Sequence, residues 1–209
     1  MPEIWIKICG LTRSDDAQNA AALGADALGA VIYPPSPRAV LPDQLSDIFA
    51  GIGPETQRVA LFVDPEEDLV NSVLASECID LLQFHGNEDQ AFCESFGLPY
   101  MKAIRVRNAI QALEEIAAHS AAQKILLDKY VEHAPGGTGQ TFDWDIAAEL
   151  VEVSANPIVL AGGLNEKNVV AALESVRPAG VDVSSGVEQS HRIKSIKKLK
   201  SFIQGVRSV

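Results

Sequence analysis

Two side chains in this sequence have the chemistry for proton transfer, and two turns have the composition for holding an anion. Cys9 stands in Lys7-Ile8-Cys9-Gly10, at the end of a short aliphatic run, and Gly10 beside it gives a ligand close access. Lys7 lies two residues back on the same strand face, and a nearby ammonium favours the thiolate, the basic form of the thiol. On spacing alone Cys9 reads more readily as a small buried hydrophobe. Asp128 closes Ile125-Leu126-Leu127, where a carboxylate either works at a pocket or anchors a loop. A thiol and a carboxyl facing one pocket would supply a base and an acid, provided the fold brings residues 9 and 128 together.

The anion-holding turns are Gly162-Gly163 and Ser184-Ser185-Gly186. Adjacent glycines let backbone N–H groups approach a phosphate, the serines add hydroxyl donors, and a short helix after the second turn would aim its positive end at the same spot. Arg38 follows the proline-held Pro34-Pro35-Ser36-Pro37, which would preorganise its guanidinium for a carboxylate; taken alone, it is more often a solvated surface arginine. His85 ends Gln83-Phe84-His85-Gly86, with Gln83 on the same strand face, and serves either a substrate oxygen or the rim. Gly136-Gly137-Thr138-Gly139 lacks the Lys-Ser/Thr ending of a P-loop and reads as a lid. His119, His133, His191, Cys78 and Cys93 have no spacing that suggests metal or nucleophilic work.

Positioning these groups falls to a repeated strand–helix alternation. Strands are expected at Trp5–Cys9, Ala27–Ile32, Arg58–Val63, Leu81–Phe84, Met101–Ile104, Lys124–Asp128, Ile158–Ala161 and Val181–Ser184. Helices are expected near 14–23, 42–50, 66–77, 89–96, 108–121, 143–153, 166–176 and 192–204, with Ser14-Asp15-Asp16, Asn108 and Asp143 at helix starts and Gly24 and Gly97 at helix ends. Strict alternation predicts a parallel sheet with helices outside, and eight units predict a closed (β/α)8 TIM barrel forming one domain over residues 1–209. An open doubly wound sheet would show a glycine-rich dinucleotide fingerprint after its first strand, which Cys9-Gly10-Leu11-Thr12 is not. In a barrel the strand ends build the site, and the polar loops 33–38, 129–141, 162–165 and 185–192 fall there. Closure also sets strand eight beside strand one, so that Asp182 and Lys7 are expected to pair beneath the pocket.

Composition sets the outer limits. The 209 residues are 47% hydrophobic and 22% charged, aromatics are only 6%, and the net charge is −11. Such a chain repels nucleic acid and anionic membranes, so a small-molecule partner is expected, with local devices to hold any anionic group. The N-terminus does not read as a signal peptide, and three cysteines without metal spacing suit a reduced, cytoplasmic protein with no metal and no cofactor. Monomer and homodimer both remain open.

Taken in chain order, the segments resemble the phosphoribosylanthranilate isomerase family from end to end. The resemblance is carried by Lys7–Thr12, Gly24–Gly29 running into Tyr33–Arg38, Gln83–Gly86, Leu127-Asp128, Gly136–Gly139 with Thr141–Trp144, Ala161–Asn165 and Val181–Glu188. It implies a TIM barrel and an Amadori rearrangement in tryptophan biosynthesis. There N-(5'-phosphoribosyl)anthranilate becomes 1-(2-carboxyphenylamino)-1-deoxyribulose 5-phosphate without a cofactor. By the resemblance Asp128 is the acid that opens the ribose ring and Cys9 the base that removes the C2 proton. Arg38 and His85 would meet the anthranilate end, while Gly162, Gly163, Ser184, Ser185 and Gly186 hold the phosphate. Two departures stand out: Phe84 replaces a leucine, and Gln189-Ser190-His191-Arg192-Ile193-Lys194 replaces a proline–glycine step leading to a lysine and an aspartate. A bifunctional barrel acting also on a histidine-pathway analogue would want aspartates at strands one and five and a glycine pair after strand three, which this chain lacks. A non-catalytic phosphate binder would need only the two turns, leaving Cys9 and Asp128 dispensable.

Overall fold

A computed structural model describes residues 3–129 and 144–209. Eight strands alternate with eight helices: β1 (Trp5–Ile8), α1 (Ser14–Ala22), β2 (Ala27–Val31), α2 (Leu45–Ile48), β3 (Gln57–Phe62), α3 (Glu67–Leu74), β4 (Leu81–Phe84), α4 (Gln90–Glu94), β5 (Tyr100–Val106), α5 (Ala109–Ala118), β6 (Lys124–Lys129), α6 (Trp144–Val153), β7 (Ile158–Leu160), α7 (Val169–Val176), β8 (Gly180–Val183) and α8 (Ile196–Arg207). Every strand pairs in parallel with its neighbours, and β8 pairs with β1, so the sheet closes into a barrel. The sequence dictates this because its strands are short aliphatic runs buried on both faces; all five residues of β2 are buried. Inside the barrel, Ala27, Val59, Leu81, Met101, Ala103, Leu126, Val159 and Ala161 form one packed cluster, with Trp5 against it. A larger cluster, including Ile6, Leu28, Phe84 and Ile125, lies between strands and helices.

Several boundaries move for physical reasons. Ser14 is the first residue of α1 rather than its cap, and Arg13 precedes it without a side-chain hydrogen bond. Asn108 does cap α5, accepting from the Gln111 N–H at 2.9 Å. Helix 42–50 is a 3-10 turn (Pro42–Gln44) followed by the single turn of α2. The last helix starts at Ile196, not 192, because residues 188–194 are taken up by a hairpin, β9 (Glu188–Ser190) with β10 (Ile193–Lys194). Its extended backbone carries the Lys194 side chain into the interior, where a helix begun at 192 would not place it. The Gly136–Gly139 lid, Asp143 and most of the 129–141 loop lie outside the described residues.

One buried ion pair braces the rim between β3, β4 and β5. Lys102 donates to Glu88 at 2.6 Å and to the Gly86 carbonyl at 2.7 Å, while Glu88 accepts from the backbone N–H groups of Asp64 and Gly86. Both side chains are under 5% exposed. Lys102→Met would strand the Glu88 charge, and urea unfolding should show a loss of about 3–5 kcal/mol.

Candidate active site

A cavity of about 300 Å3 opens at the C-terminal ends of the barrel strands, the rim to which sequence assigned the polar loops. Cys9, Arg38, His85, Asp128, Gly162, Gly163, Ser184, Ser185 and Gly186 all line it.

Cys9 follows β1, and its N–H donates to the Val183 carbonyl at 2.8 Å, which fixes the thiol beside β8. Gly29 of β2 makes room for it: a Cβ there would lie 3.0 Å from both Cys9 Sγ and Lys7 Cε. Sequence reasoning missed Gly29, whose signal was only a glycine in a strand otherwise built from larger residues. Lys7 is fully buried and its ammonium sits 2.9 Å from Asp182, the pairing that closure implied. Burial opposes the Lys7 charge, but Asp182 and Cys9 outweigh it and the pKa is raised. For Cys9 the expected pull of Lys7 toward the thiolate is present but does not prevail. Burial pushes its pKa up, Lys7 pulls it down, Asp182 pushes it up again, and the sum is a raised value. Thiol, ammonium and carboxylate thus share one buried site, in which Asp182 and Cys9 compete for Lys7.

Asp128 belongs to β6 and reaches the same cavity from across the barrel. Its Oδ1 accepts from the Lys129 N–H at 2.8 Å. His85 Nε2 lies 3.3 Å from Oδ2, close in distance yet misaligned for a hydrogen bond, and Gln83 Nε2 stands 3.4 Å from His85 Nδ1. His85 therefore sits against the carboxyl of Asp128 rather than at a separate corner of the rim. Gly162 lets this happen, since a Cβ there would come 3.0 Å from Asp128 Oδ1.

The anion turns have the backbone that glycine permits: φ is +77° at Gly162 and +78° at Gly163. After β8 the expected short helix is only a 3-10 turn, Ser185–Val187, so any phosphate there would rely on local N–H and hydroxyl donors rather than on a macrodipole. Gly186 packs directly under the Leu164 carbonyl, where a Cβ would overlap it, and this joins the two turns into one wall.

Arg38 is neither solvated nor wholly free for a ligand. It is 8% exposed and gives Nε and Nη2 to Glu188 at 2.6 and 2.7 Å. Glu188 and Lys194 are further site-adjacent residues that sequence reasoning left without a role, as it did His191, an exposed side chain on the cavity's edge. Val31, Tyr33, Leu61 and Val63 add an apolar wall.

The sequence profile of the N-(5'-phosphoribosyl)anthranilate (PRA) isomerase family matches residues 6–205. The chain belongs to this isomerase family. An N-(5'-phosphoribosyl)anthranilate isomerase from Cellvibrio japonicus is 49% identical over 97% of this chain and 93% of its own length. Among solved structures, the phosphoribosyl anthranilate isomerase of Thermotoga maritima is similar at a TM-score of 0.89 and 33% identity, covering 99% of this chain and all of its own. A further phosphoribosyl anthranilate isomerase structure, 32% identical with a TM-score of 0.86 over 99% of this chain and 100% of its own, is a complex with reduced 1-(o-carboxyphenylamino)-1-deoxyribulose 5-phosphate. The isomerase family thus accounts for both the barrel and the ordered motifs.

Within this isomerase barrel, Gly10 packs against the side chains of both Arg38 and Ser184. Its φ is +72°, and a Cβ would come 2.5 Å from Arg38 Cδ and 2.7 Å from Ser184 Oγ. Gly10→Ala should cost about 1–3 kcal/mol of stability through the strained backbone. It should also raise KM by displacing both side chains; thermal melts and steady-state kinetics on one preparation check the two effects.

Proposed function

We propose that the chain converts N-(5'-phosphoribosyl)anthranilate to 1-(2-carboxyphenylamino)-1-deoxyribulose 5-phosphate, the Amadori step of tryptophan biosynthesis, with Asp128 as general acid and Cys9 as general base. The observation that carries this reading is the shared cavity: a thiol after β1 and a carboxyl in β6 line it together with both glycine-rich turns. Asp128 gives its proton to the ribose ring oxygen; the C1–O bond breaks as the nitrogen lone pair forms the Schiff base. Cys9, as thiolate, then takes the proton from C2, and the electron pair neutralises the iminium nitrogen to leave an enol that becomes the ketone. The ring C1–O bond opens and protons are relocated with no net oxidation or reduction, and side chains of this protein supply and accept the protons.

Binding follows the same geometry. The phosphate meets Gly162, Gly163, Ser184, Ser185 and Gly186, Arg38 meets the anthranilate carboxylate, and the wall of Val31, Tyr33, Leu61 and Val63 covers the aromatic ring. Holding both anionic ends leaves the sugar between acid and base, which lowers the entropic part of the barrier. His85 supports Asp128. The protein works as a single catalytic domain on a small phosphorylated substrate, in the cytoplasm. The test is an assay of the purified chain for loss of N-(5'-phosphoribosyl)anthranilate. Turnover is the expected result. A protein that binds the reduced product analogue but never consumes substrate would be the non-catalytic binder instead.

A further inference from the structure

The fork–fork contact between Arg38 and Glu188 raises an electrostatic problem. Two donors of the guanidinium are committed to a carboxylate of the chain itself at 2.6 and 2.7 Å. That contact fixes the plane of the guanidinium, but it also cancels its charge. An arginine so paired would hold a substrate carboxylate in place while giving it little net attraction.

Lys194 resolves the problem. Its Nζ lies 3.2 Å from Glu188 Oε1 and donates to the backbone carbonyls of Cys9 at 2.7 Å and Ser184 at 3.0 Å. The side chain is wholly shut off from solvent. With Arg38 and Lys194 protonated and Glu188 ionised, the buried trio carries one net positive charge. Burial would raise the Glu188 pKa, yet its contacts with Arg38 and Lys194 hold it below the usual carboxylate range. Burial lowers the Lys194 pKa against the opposing pull of Glu188 and Cys9. The hairpin that delivers both residues also grips the Arg38 loop, because Arg192 donates to the carbonyls of Pro37 at 3.2 Å and Ala39 at 3.3 Å. Asp16 of α1 anchors the hairpin from below by accepting from the Lys194 N–H at 3.0 Å.

We propose that Glu188 and Lys194 are a positioning pair for substrate binding: Glu188 sets the plane of Arg38, and Lys194 offsets the Glu188 charge so that Arg38 meets the substrate carboxylate as a full cation. The proposal rests on the reading of Arg38 as the carboxylate partner. Neither residue touches the substrate; both act through Arg38.

The experiment is calorimetric titration of the folded protein with the reduced product analogue, comparing the wild type with Arg38→Met, Lys194→Met, Glu188→Gln and the Glu188→Gln/Lys194→Met double variant. Loss of one buried charge near the ligand should weaken binding about tenfold in Lys194→Met. The double variant returns the trio to a net charge of one but leaves only an amide oxygen to orient Arg38, so its Kd should recover to a value between those of Lys194→Met and the wild type. A merely structural role for Lys194 would give no such recovery. Lys194→Met binding as tightly as the wild type, or a double variant no tighter than Lys194→Met, overturns the proposal. Should Lys194→Met fail to fold, Glu188→Gln against the double variant reads the same charge step; equal affinities there would equally overturn it. If Arg38→Met keeps wild-type affinity, the underlying assignment of Arg38 falls and this inference with it. If Arg38→Met binds weakly while Lys194→Met does not, only the inference falls.

Discussion

Asp128→Asn will give a folded protein that still binds the reduced product analogue but turns over substrate at least about 10²-fold more slowly. The amide matches the carboxyl in shape and keeps an oxygen for the Lys129 N–H, which now bonds Oδ1 at 2.8 Å. It fits beside Gly162, where space is set by the missing Cβ. What it lacks is a proton to transfer. The loss should therefore appear in kcat, with the analogue Kd within a few-fold of the wild type. Stopped-flow or steady-state decay of substrate measures it, and an Asn variant within threefold of wild-type kcat would remove Asp128 from the acid's place.

Cys9→Ala should have an effect of the same order, about 10²-fold or more in kcat, because it removes the group proposed to take the C2 proton. A water replacing the thiol is a far weaker base than a thiolate. Burial pushes the Cys9 pKa up while Lys7 pulls it down, so the neighbouring ammonium matters to how much thiolate is reached. Alkylation of Cys9 by iodoacetamide should accordingly be slow near neutral pH and accelerate as pH rises through its raised pKa. In Lys7→Met the acceleration should begin at still higher pH. Because acid and base act on one substrate, the Cys9→Ala/Asp128→Asn double variant should lose much less than the product of the single losses. Wild-type turnover in Cys9→Ala would contradict the mechanism.

The barrel was legible because its signal is local. Short runs such as Ala27–Val31 or Ile158–Leu160 are too apolar to sit anywhere but between two buried faces, and polar, capped stretches separate them. Closure then made one long-range contact derivable: alternation points Lys7 and Asp182 inward, and β1 beside β8 brings them to 2.9 Å. The hairpin at 188–194 was not legible. Its conformation follows from where Lys194 finds its acceptors, and two of these, Cys9 and Ser184, lie 185 and 10 residues away in the chain. For the same reason Arg38 could be placed at the mouth from its proline-rich loop, whereas its partner, 150 residues on, could not. The pull of Lys7 on Cys9 was legible from strand alternation, but how deeply the two are buried together was not. Burial is the larger influence on the thiol.

Catalysis depends on where the sugar sits, and a crystal structure of this protein with the reduced product analogue measures that directly. The expected complex places Cys9 Sγ about 3–3.5 Å from the sugar C2, and the Asp128 carboxyl within hydrogen-bond reach of the oxygen that leaves the ring. The phosphate should lie on the turns at Gly163 and Ser185. A sugar bound with C2 turned away from the sulfur, or a ligand whose phosphate sits elsewhere on the barrel, would contradict it.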